Sequence, residues 1–442
     1  MIIEKETFYR RALLTAFWIR GCWGFFAWEL VPFMLKLYPV VSLFFDALLV
    51  FIGISVMNRW RDRIFAIAFV AITGYSTCVS NHLSVPFFVN GLRDFISYLF
   101  LIPIFNYFLG DEERKKRTVP IFDRHLFVFL IVQAPCLIYQ FLVHGACDWG
   151  GGSLGNTNSG IITTLIYAIS FYLMQKRIDP DNVMKSIFKN KIFIFLLLPT
   201  FLNETKVGFI FLLMYFALLI PFNRQIFIRA LMAIPIIVML FVGAAYGYVL
   251  STGGSGGDVF TLEYYTEMYL YDSGENSAEY AEWLFDTGDA EKEDIPRFSK
   301  LMLLEDLDVE NPGHKSIGFG LGQFKGGTMV SSSAFYKKYE WMLIGSIPYI
   351  FHVYVQIGFI GVALMIWYFL NYFARPGSGT SFTRNHNVQI YLLMVFLTIM
   401  FYNDSIRDNL MMIVLTFISL SAWRDPEKDE ADTEMPANKA QL

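Results

Sequence analysis

Long apolar stretches recur along almost the whole chain, and a single hydrophilic segment interrupts the series. The apolar stretches are about 16–24 residues long, which is enough for a helix to cross the ~30 Å hydrocarbon core of a bilayer. The hydrophilic segment, residues 251–345, holds 17 Asp and Glu residues against 7 Lys and Arg residues. It carries a net charge of about −10 in a protein whose total is −4. This pattern predicts a polytopic membrane protein with one acidic domain outside the bilayer.

The composition also indicates a membrane protein. Apolar residues make up 55% of the chain and charged residues only 17%, whereas soluble domains average roughly 25% charge. Arg20 and Glu29 interrupt the first apolar run, which lacks a small-residue cleavage site, so we expect an uncleaved first span. The four scattered cysteines have no metal-ligand spacing and indicate no disulfide framework.

The distribution of basic residues predicts the topology, because cytoplasmic loops are enriched in Lys and Arg. We expect twelve spans, at residues 12–35, 38–57, 64–80, 87–109, 125–143, 158–174, 190–203, 206–221, 227–250, 346–371, 388–402 and 409–423. Alternate connections and the two termini together hold 23 Lys and Arg residues, whereas the opposite short connections hold three, namely Lys36, Lys206 and Arg407. This asymmetry places both termini in the cytoplasm and the acidic segment on the outer face.

The predicted fold is therefore an all-α polytopic membrane protein. It consists of nine spans in residues 1–250, an acidic extracytoplasmic domain in 251–345, three spans in 346–423 and a cytoplasmic tail in 424–442.

One predicted pair of spans is unusually short. Residues 190–221 cross twice because both flanks are basic, yet each arm is only about 21–24 Å long at 1.5 Å per residue. The tip, which contains Glu204 and Lys206, should lie below the outer surface of the bilayer, where ionisable groups are costly unless they pair or bind a ligand. One interpretation is an ion pair between these two residues, and the other is a cationic site for a lipid phosphate group.

Other charges lie within the predicted spans or at their outer ends. Arg93 begins the fourth span, where its side chain can extend to the outer headgroups or bind an anion. Arg407 lies on an outer turn rich in carboxylates, so a local salt bridge competes with ligand binding. Arg20 and Asp46 are further intramembrane charges.

Part of the acidic segment superficially resembles a phosphate-binding loop. The run Gly318-Phe319-Gly320-Leu321-Gly322 lacks the flanking strand and helix of a dinucleotide fold and the Lys-Ser/Thr of a P-loop. We therefore expect tight backbone turns over the membrane mouth and no nucleotide site. The nearby Asp306, Asp308 and Glu310 do not match EF-hand spacing, so no metal is expected.

Four segments, in this order, give the chain its resemblance to the bacterial O-antigen polymerase and O-antigen ligase superfamily. They are Gly155-Asn156-Thr157-Asn158-Ser159-Gly160, Glu204-Thr205-Lys206-Val207-Gly208-Phe209, Arg297 followed by the glycine run at 318–322, and Gln356-Ile357-Gly358-Phe359-Ile360-Gly361. Two departures matter. Lys206 replaces the family's Arg, which keeps the charge but loses the bidentate fork. Ser346 and Ile347 replace a His-Asn pair that ligase-like members carry, and this favours a polymerase.

The resemblance implies glycosyl transfer from a polyprenyl-diphosphate donor to a lipid-linked repeat unit, without a metal or cofactor. It also implies that the protein lies in a bacterial inner membrane and acts at the outer face of that membrane. The implied catalytic residues are Lys206, Arg297, Glu204 and His314, and the leaving diphosphate would be bound by Lys206, Arg93 and Arg297. Glu204, His314 or a carboxylate of the acidic segment would act as general base. The implied partners are polyprenyl-diphosphate-linked oligosaccharides, membrane lipids, a chain-length regulator and a flippase, and no nucleic acid is expected.

Two other functions compete with the polymerase. A ligase would transfer the glycan to a lipid or protein acceptor. A transporter of lipid-linked sugars belongs to a different class, and the sequence has neither an inverted repeat nor a matched pair of broken spans in its favour. The sequence does not distinguish O-antigen from capsule or exopolysaccharide.

Overall fold

The computed structural model describes residues 4–145, 150–156, 158–179, 182–203, 207–219, 297–323, 333–343, 347–370, 383–384, 386–402 and 407–424. Within these residues the fold is helical, and the strands are limited to one antiparallel pair of two residues each. The α-helices are α1 Lys5–Phe25, α2 Met34–Val56, α3 Trp60–Gly74, α4 Val85–Leu92, α5 Ile96–Leu109, α6 Glu112–His144, α7 Ser159–Gln175, α8 Val183–Lys189, α9 Ile192–Phe195, α10 Val207–Leu219, α11 Arg297–Glu310, α12 Ala334–Tyr339, α13 Tyr349–Leu370, α14 His386–Tyr402 and α15 Asn409–Ser421. The strands are β1 Thr383–Arg384 and β2 Trp423–Arg424.

Five helical segments are long and apolar enough to cross a membrane: Met34–Val56, Trp60–Ser80, Val85–Leu109, Glu112–His144 and Tyr349–Leu370. A sixth is possible if Val183–Lys189 and Ile192–Asn203, which are bent by 61°, form one span. Four further helices, α7, α10, α14 and α15, are apolar but shorter. The predicted all-helical fold with membrane-crossing helices is confirmed in this form, whereas the number twelve stays a prediction.

Three of the predicted segments fall largely or wholly outside the described residues. They are the ninth span, 227–250, the first half of the acidic domain, 251–296, and the cytoplasmic tail, 424–442, of which only Arg424 is described. The described remainder of that domain, α11 to α12, packs on α13 through a separate apolar core made of Leu303, Leu307, Phe319, Tyr339, Trp341, Met342, Phe351 and Val355. This part of the acidic segment is therefore joined directly to a membrane-length helix.

Three apolar helices form the centre of the main core. α5 is buried on nearly every side and packs between α2 and α15. α7 and α15 are likewise buried along their whole length, as expected for helices that are apolar all round. Phe122 stacks on Phe417 at 4.8 Å and Phe171 on Tyr391 at 4.2 Å between ring centroids. These three buried helices fix the positions of the helices that pack around them.

Candidate functional site

Three charged side chains from three segments meet inside the helical core. Asp46 of α2 is only 2% exposed and accepts a hydrogen bond at 2.6 Å from Arg20 Nη2 of α1. Its second carboxylate oxygen accepts a hydrogen bond at 2.9 Å from Nε of Arg93, in the short turn before α5. Two guanidinium groups therefore share one carboxylate, and the cluster retains an excess positive charge.

Polar side chains next to this charge cluster form hydrogen bonds with it. Asn409, at the start of α15, donates to Asp46 Oδ1 at 3.2 Å and accepts a short hydrogen bond from the hydroxyl of Ser97. Arg93 also donates to the hydroxyl of Ser42 at 3.3 Å. Arg20 is 9% exposed, and its Nε has no hydrogen-bond partner among the described residues. One buried donor of the cluster is thus unpaired within the described part of the chain.

A second set of charges lies at the entrance to α15. Arg407 pairs with Asp94 at 3.1 Å, and this salt bridge joins two distant segments. The local salt bridge expected from the sequence stays a prediction, because residues 403–406 of the same turn lie outside the described residues. Asp408 caps α15, because its Oδ1 accepts from the amides of Leu410 at 2.7 Å and Met411 at 3.1 Å. Burial raises the pKa of the Asp408 carboxyl above its ordinary range, against the opposing effects of Arg20 and the two amides.

A cavity of about 230 Å³ opens beside the charge cluster. It is lined by Arg20, Trp23, Gly24, Trp28, Leu35, Tyr38, Leu154, Asn158 and Asp408. The lining therefore combines three aromatic side chains with one cation, one carboxylate and one amide. Binding pockets typically combine an apolar or aromatic lining with a few polar groups that orient the ligand.

A glycine-rich loop forms one wall of this cavity. A Cβ atom on Gly24 would lie 1.7 Å from the carbonyl oxygen of Leu154, so only glycine allows α1 to approach the loop this closely. Gly155 has φ +81°, a left-handed conformation that favours glycine. Asn158 donates to the Leu154 carbonyl at 3.0 Å, which closes the turn just before α7 begins. The first family-like motif is therefore part of the cavity wall.

A π-helical turn at Phe26–Leu30 places Trp28 on the cavity. The next residue, Glu29, has a side chain only 5% exposed. It accepts a hydrogen bond at 3.3 Å from Gln140 and lies 3.1 Å from Nε2 of His144, both on α6. These contacts tie the turn that carries Trp28 to the end of α6.

The glycine run at 318–322 closes a break in α13. Gly358 has φ +63° and interrupts the helix, and the amides of Phe359 and Ile360 donate to Lys315 and Ser316 at 3.0 and 3.1 Å. In return, the amides of Phe319 and Gly320 donate to carbonyls of α13 at 2.8 and 3.0 Å. The run thus forms tight turns, with positive φ at all three glycines, that pair with broken helical backbone. The third and fourth resemblance motifs are therefore in direct contact.

The glycine run also reaches the segment that carries Arg93. A Cβ atom on Gly91 would lie 2.2 Å from Gly322 N, so the run contacts α4 two residues before Arg93. Ser76 Oγ donates to the Ile317 carbonyl at 2.6 Å, and Thr77 Oγ1 accepts from the Leu321 amide at 2.8 Å. The run therefore packs between α4, the helical turn that carries Ser76 and Thr77, and α13.

The structure places the sequence-predicted site residues in separate surroundings. Arg93 belongs to the charge cluster, and the guanidinium of Arg297 lies 4.3 Å from the ring centroid of Tyr402. The His314 ring stacks on Phe319 at 4.4 Å. No hydrogen bond, ion pair or ring contact links these three residues to one another within the described part of the chain.

Glu204 and Lys206 lie outside the described residues. The residues on either side of this tip are buried: Asn203 is 0% exposed and Val207 2%. Asn203 donates to Thr163 Oγ1 at 3.0 Å and to the Gly150 carbonyl at 3.2 Å. Asn203, the last described residue before the tip, therefore lies beside Gly150 and α7.

Sequence reasoning missed the roles of Arg20, Asp46, Asn158 and Asp408 in this site. For Arg20, Asp46 and Asp408 the available signal was their charge within or next to apolar runs, because ionisable residues at such positions usually face a cavity or one another. For Asn158 the only signal was its place in the first family-like motif. The arrangement can bind an anion at Arg20 and hydrogen-bond hydroxyl groups at Asn158 and Asp408. No protein-family model matches the chain, and no curated protein matches it either.

Proposed function

We propose that the protein is a membrane glycosyltransferase that polymerises lipid-linked glycan repeat units. The observation that carries this proposal is the Arg20–Asp46–Arg93 cluster beside a cavity lined with aromatic residues. A glycan chain on polyprenyl diphosphate would be the donor, and a hydroxyl of a second lipid-linked repeat unit would be the acceptor. The order of the four family-like motifs supports the same reaction class.

The side of the membrane follows from the helices that line the cavity. α1 runs from Arg10 and Arg11 towards the cavity, and α2 runs from the cavity towards Arg59, Arg61 and Arg63. The cavity therefore lies at the helix ends remote from the basic connections, which the positive-inside rule assigns to the outer face. Glycans of this kind are joined on that face.

The charge cluster suits a leaving diphosphate. Departure of polyprenyl diphosphate from the anomeric carbon places negative charge on the leaving oxygen, and fixed cations in a poorly solvated site stabilise such charge strongly. Two arginines share one carboxylate, so this three-residue cluster keeps an excess positive charge, and Arg20 also lines the cavity. Arg20 and Arg93 would bind the diphosphate in this proposal.

The rest of the cavity suits a sugar. Flat aromatic faces pack against the apolar faces of sugar rings, while amide and carboxylate oxygens accept hydrogen bonds from sugar hydroxyls. Trp23, Trp28 and Tyr38 provide the rings, and Asn158 and Asp408 provide the polar groups. The volume of about 230 Å³ is below the usual 300–1,000 Å³ of pockets for drug-sized ligands, so it fits one sugar unit and not an oligosaccharide.

Deletion of the gene tests the reaction class. For a polymerase, extracted glycans should consist of single repeat units on the lipid carrier or on its final acceptor. Long polymer stranded on the carrier would indicate a ligase instead. Repeat units confined to the inner leaflet would indicate a transporter, and either of these outcomes would overturn the proposal.

A matched pair of tryptophan variants tests the site. Trp28 lines the cavity and Trp60, at the start of α3, is exposed elsewhere. Trp28→Ala should lower the elongation rate of purified protein on extracted lipid-linked repeat units severalfold, as expected for the loss of one aromatic contact worth about 1 kcal/mol. Trp60→Ala should elongate at the wild-type rate. Equal rates for the two variants would remove the cavity from the reaction.

A further inference from the structure

We infer that Asp408 is the general base of the transfer reaction and accepts the proton of the attacking acceptor hydroxyl. The inference rests on the proposed function and names a catalytic residue for it. Asp408 was not among the bases considered from the sequence, which were Glu204, His314 and the carboxylates of the acidic segment.

Asp408 lines the cavity, and the helix cap uses only one of its two carboxylate oxygens. Both amide hydrogen bonds, from Leu410 and Met411, go to Oδ1. Oδ2 accepts neither of them, and Asp408 is one of the residues that line the cavity. The cap therefore fixes the carboxylate while leaving one oxygen to bind a hydroxyl group.

The groups around Asp408 indicate that different residues bind the leaving diphosphate and accept the proton of the acceptor hydroxyl. Arg20 of α1 and Tyr38 of α2 line the same cavity, and Asp46 lies behind Arg20 and holds it at 2.6 Å. Arg407, the neighbour of Asp408, is directed to Asp94 at 3.1 Å. Asp408 is thus the carboxylate on the cavity wall, whereas the carboxylate of Asp46 is already occupied by two arginines.

The reaction balances without a further reactant. The acceptor hydroxyl loses its proton to Asp408 Oδ2 as its oxygen bonds to the anomeric carbon of the donor. The bond from that carbon to the diphosphate oxygen breaks, and its electron pair leaves with the polyprenyl diphosphate beside Arg20. A carboxylate whose pKa is raised by burial is a stronger base than an ordinary aspartate, and general-base catalysis typically contributes 10²–10⁴-fold.

The variant Asp408→Asn separates catalysis from helix capping, because asparagine caps a helix about as well as aspartate. Asp111 provides the matched control: it caps α6 by accepting from the Arg114 amide at 3.0 Å and is remote from the cavity lining. The substrate is the lipid-linked single repeat unit extracted from a strain that lacks the gene. Purified protein in nanodiscs is then assayed for the initial rate of chain elongation at several pH values.

Asp408→Asn should lower kcat by 10²- to 10⁴-fold with little change in KM. The wild-type rate should fall at low pH because the Asp408 carboxylate becomes protonated. The residual rate of Asp408→Asn should not show this decrease at low pH. Asp111→Asn should match the wild type in rate and pH profile. Asp408→Ser, which also retains the cap, should be as inactive as Asp408→Asn even if one of the two folds less well.

Two outcomes would overturn the inference, and they are distinguishable. If wild-type protein elongates the substrate and Asp408→Asn does so at the same rate and with the same pH profile, Asp408 is only a helix cap and the proposed function stands. If the wild-type protein does not elongate the substrate at all, the proposed function fails and the inference fails with it.

Discussion

The backbones of Gly318 and Gly358 are in contact, and neither residue can carry a side chain. A Cβ atom on Gly358 would lie 2.5 Å from Gly318 N, and one on Gly318 would lie 2.5 Å from Ile357 N. Both residues also have positive φ, +70° and +63°. The turn of the acidic segment and the break in α13 are therefore complementary, and each satisfies backbone groups that the other exposes.

This contact predicts that Gly358→Ala strongly destabilises the protein. The new methyl group would meet backbone atoms that cannot move aside, and the left-handed conformation adds roughly 1–2 kcal/mol of strain. Gly313→Ala is the control, because a Cβ atom there has no neighbour within 4 Å. The thermal unfolding midpoint of purified protein should fall by several degrees for Gly358→Ala and stay unchanged for Gly313→Ala. Equal midpoints would show that the break in α13 tolerates a side chain.

The position of several helices could be predicted from the sequence because hydropathy alone defines them. The sixth span was expected at 158–174, and α7 occupies Ser159–Gln175. The eleventh was expected at 388–402, and α14 occupies His386–Tyr402. In contrast, the sequence predicted an unbroken span at 346–371. The break at Gly358 could not be foreseen, because its hydrogen-bond partners come from residues 315–320, which are remote in sequence.

The charge cluster could be predicted only in part, for the same reason. Arg93 was expected at the outer end of a span as a headgroup anchor or an anion site, and its actual partner is Asp46, forty-seven positions earlier. Charge in an apolar run identified both residues, but pairing depends on how α2 packs against α5. One partner of Arg407, Asp94, likewise lies in another segment.

Asp46→Asn should destabilise the protein much more than the loss of an ordinary ion pair. The substitution leaves the charges of Arg20 and Arg93 without a counter-ion, and breaking a buried pair from one side typically costs about 3–5 kcal/mol. Asp123→Asn is the comparison, because Asp123 pairs with Lys176 at a site where both side chains are 21–29% exposed. The apparent unfolding temperature should fall clearly more for Asp46→Asn than for Asp123→Asn.

A double-mutant cycle checks the cause. In an Arg20→Met background, Asp46→Asn should cost less than in the wild type, with a coupling of about 0.5–3 kcal/mol for groups in one network. Additive effects of the two substitutions would mean that the two residues do not stabilise each other.

The described acidic segment should loosen in acid through Glu310. Hydrogen bonds from Lys338 and Tyr339 hold the pKa of the Glu310 carboxyl below its ordinary value of 4.5. Because folding lowers this pKa, the ionised carboxylate stabilises the folded state at pH values above 4.5. This stabilisation is lost as the pH falls through the lowered pKa. The side chains are 37% and 57% exposed, so the contribution is at most about 1 kcal/mol.

Hydrogen exchange of the α11 and α12 amides measures this effect. Their protection should be lower at pH 3 than at pH 6 beyond the intrinsic change in exchange rate, and Glu310→Gln should remove most of that difference. Glu305→Gln, at an exposed position on the same helix, should retain the wild-type pH dependence. An unchanged pH dependence in Glu310→Gln would assign the loosening to other groups.

Arg297 can be tested through its contact with Tyr402. Its guanidinium lies 4.3 Å from the ring centroid at the end of α14, and its Nε has no hydrogen-bond partner in the described part of the chain. A cation over an aromatic ring contributes about 0.5–2 kcal/mol, so Arg297→Ala and Tyr402→Leu should each lower stability modestly. If Arg297 also binds the diphosphate, only Arg297→Ala should abolish elongation, and Tyr402→Leu should retain most of it because the charge is still present. Normal polymer length in Arg297→Ala, or equal loss of activity in both variants, would limit Arg297 to a structural role.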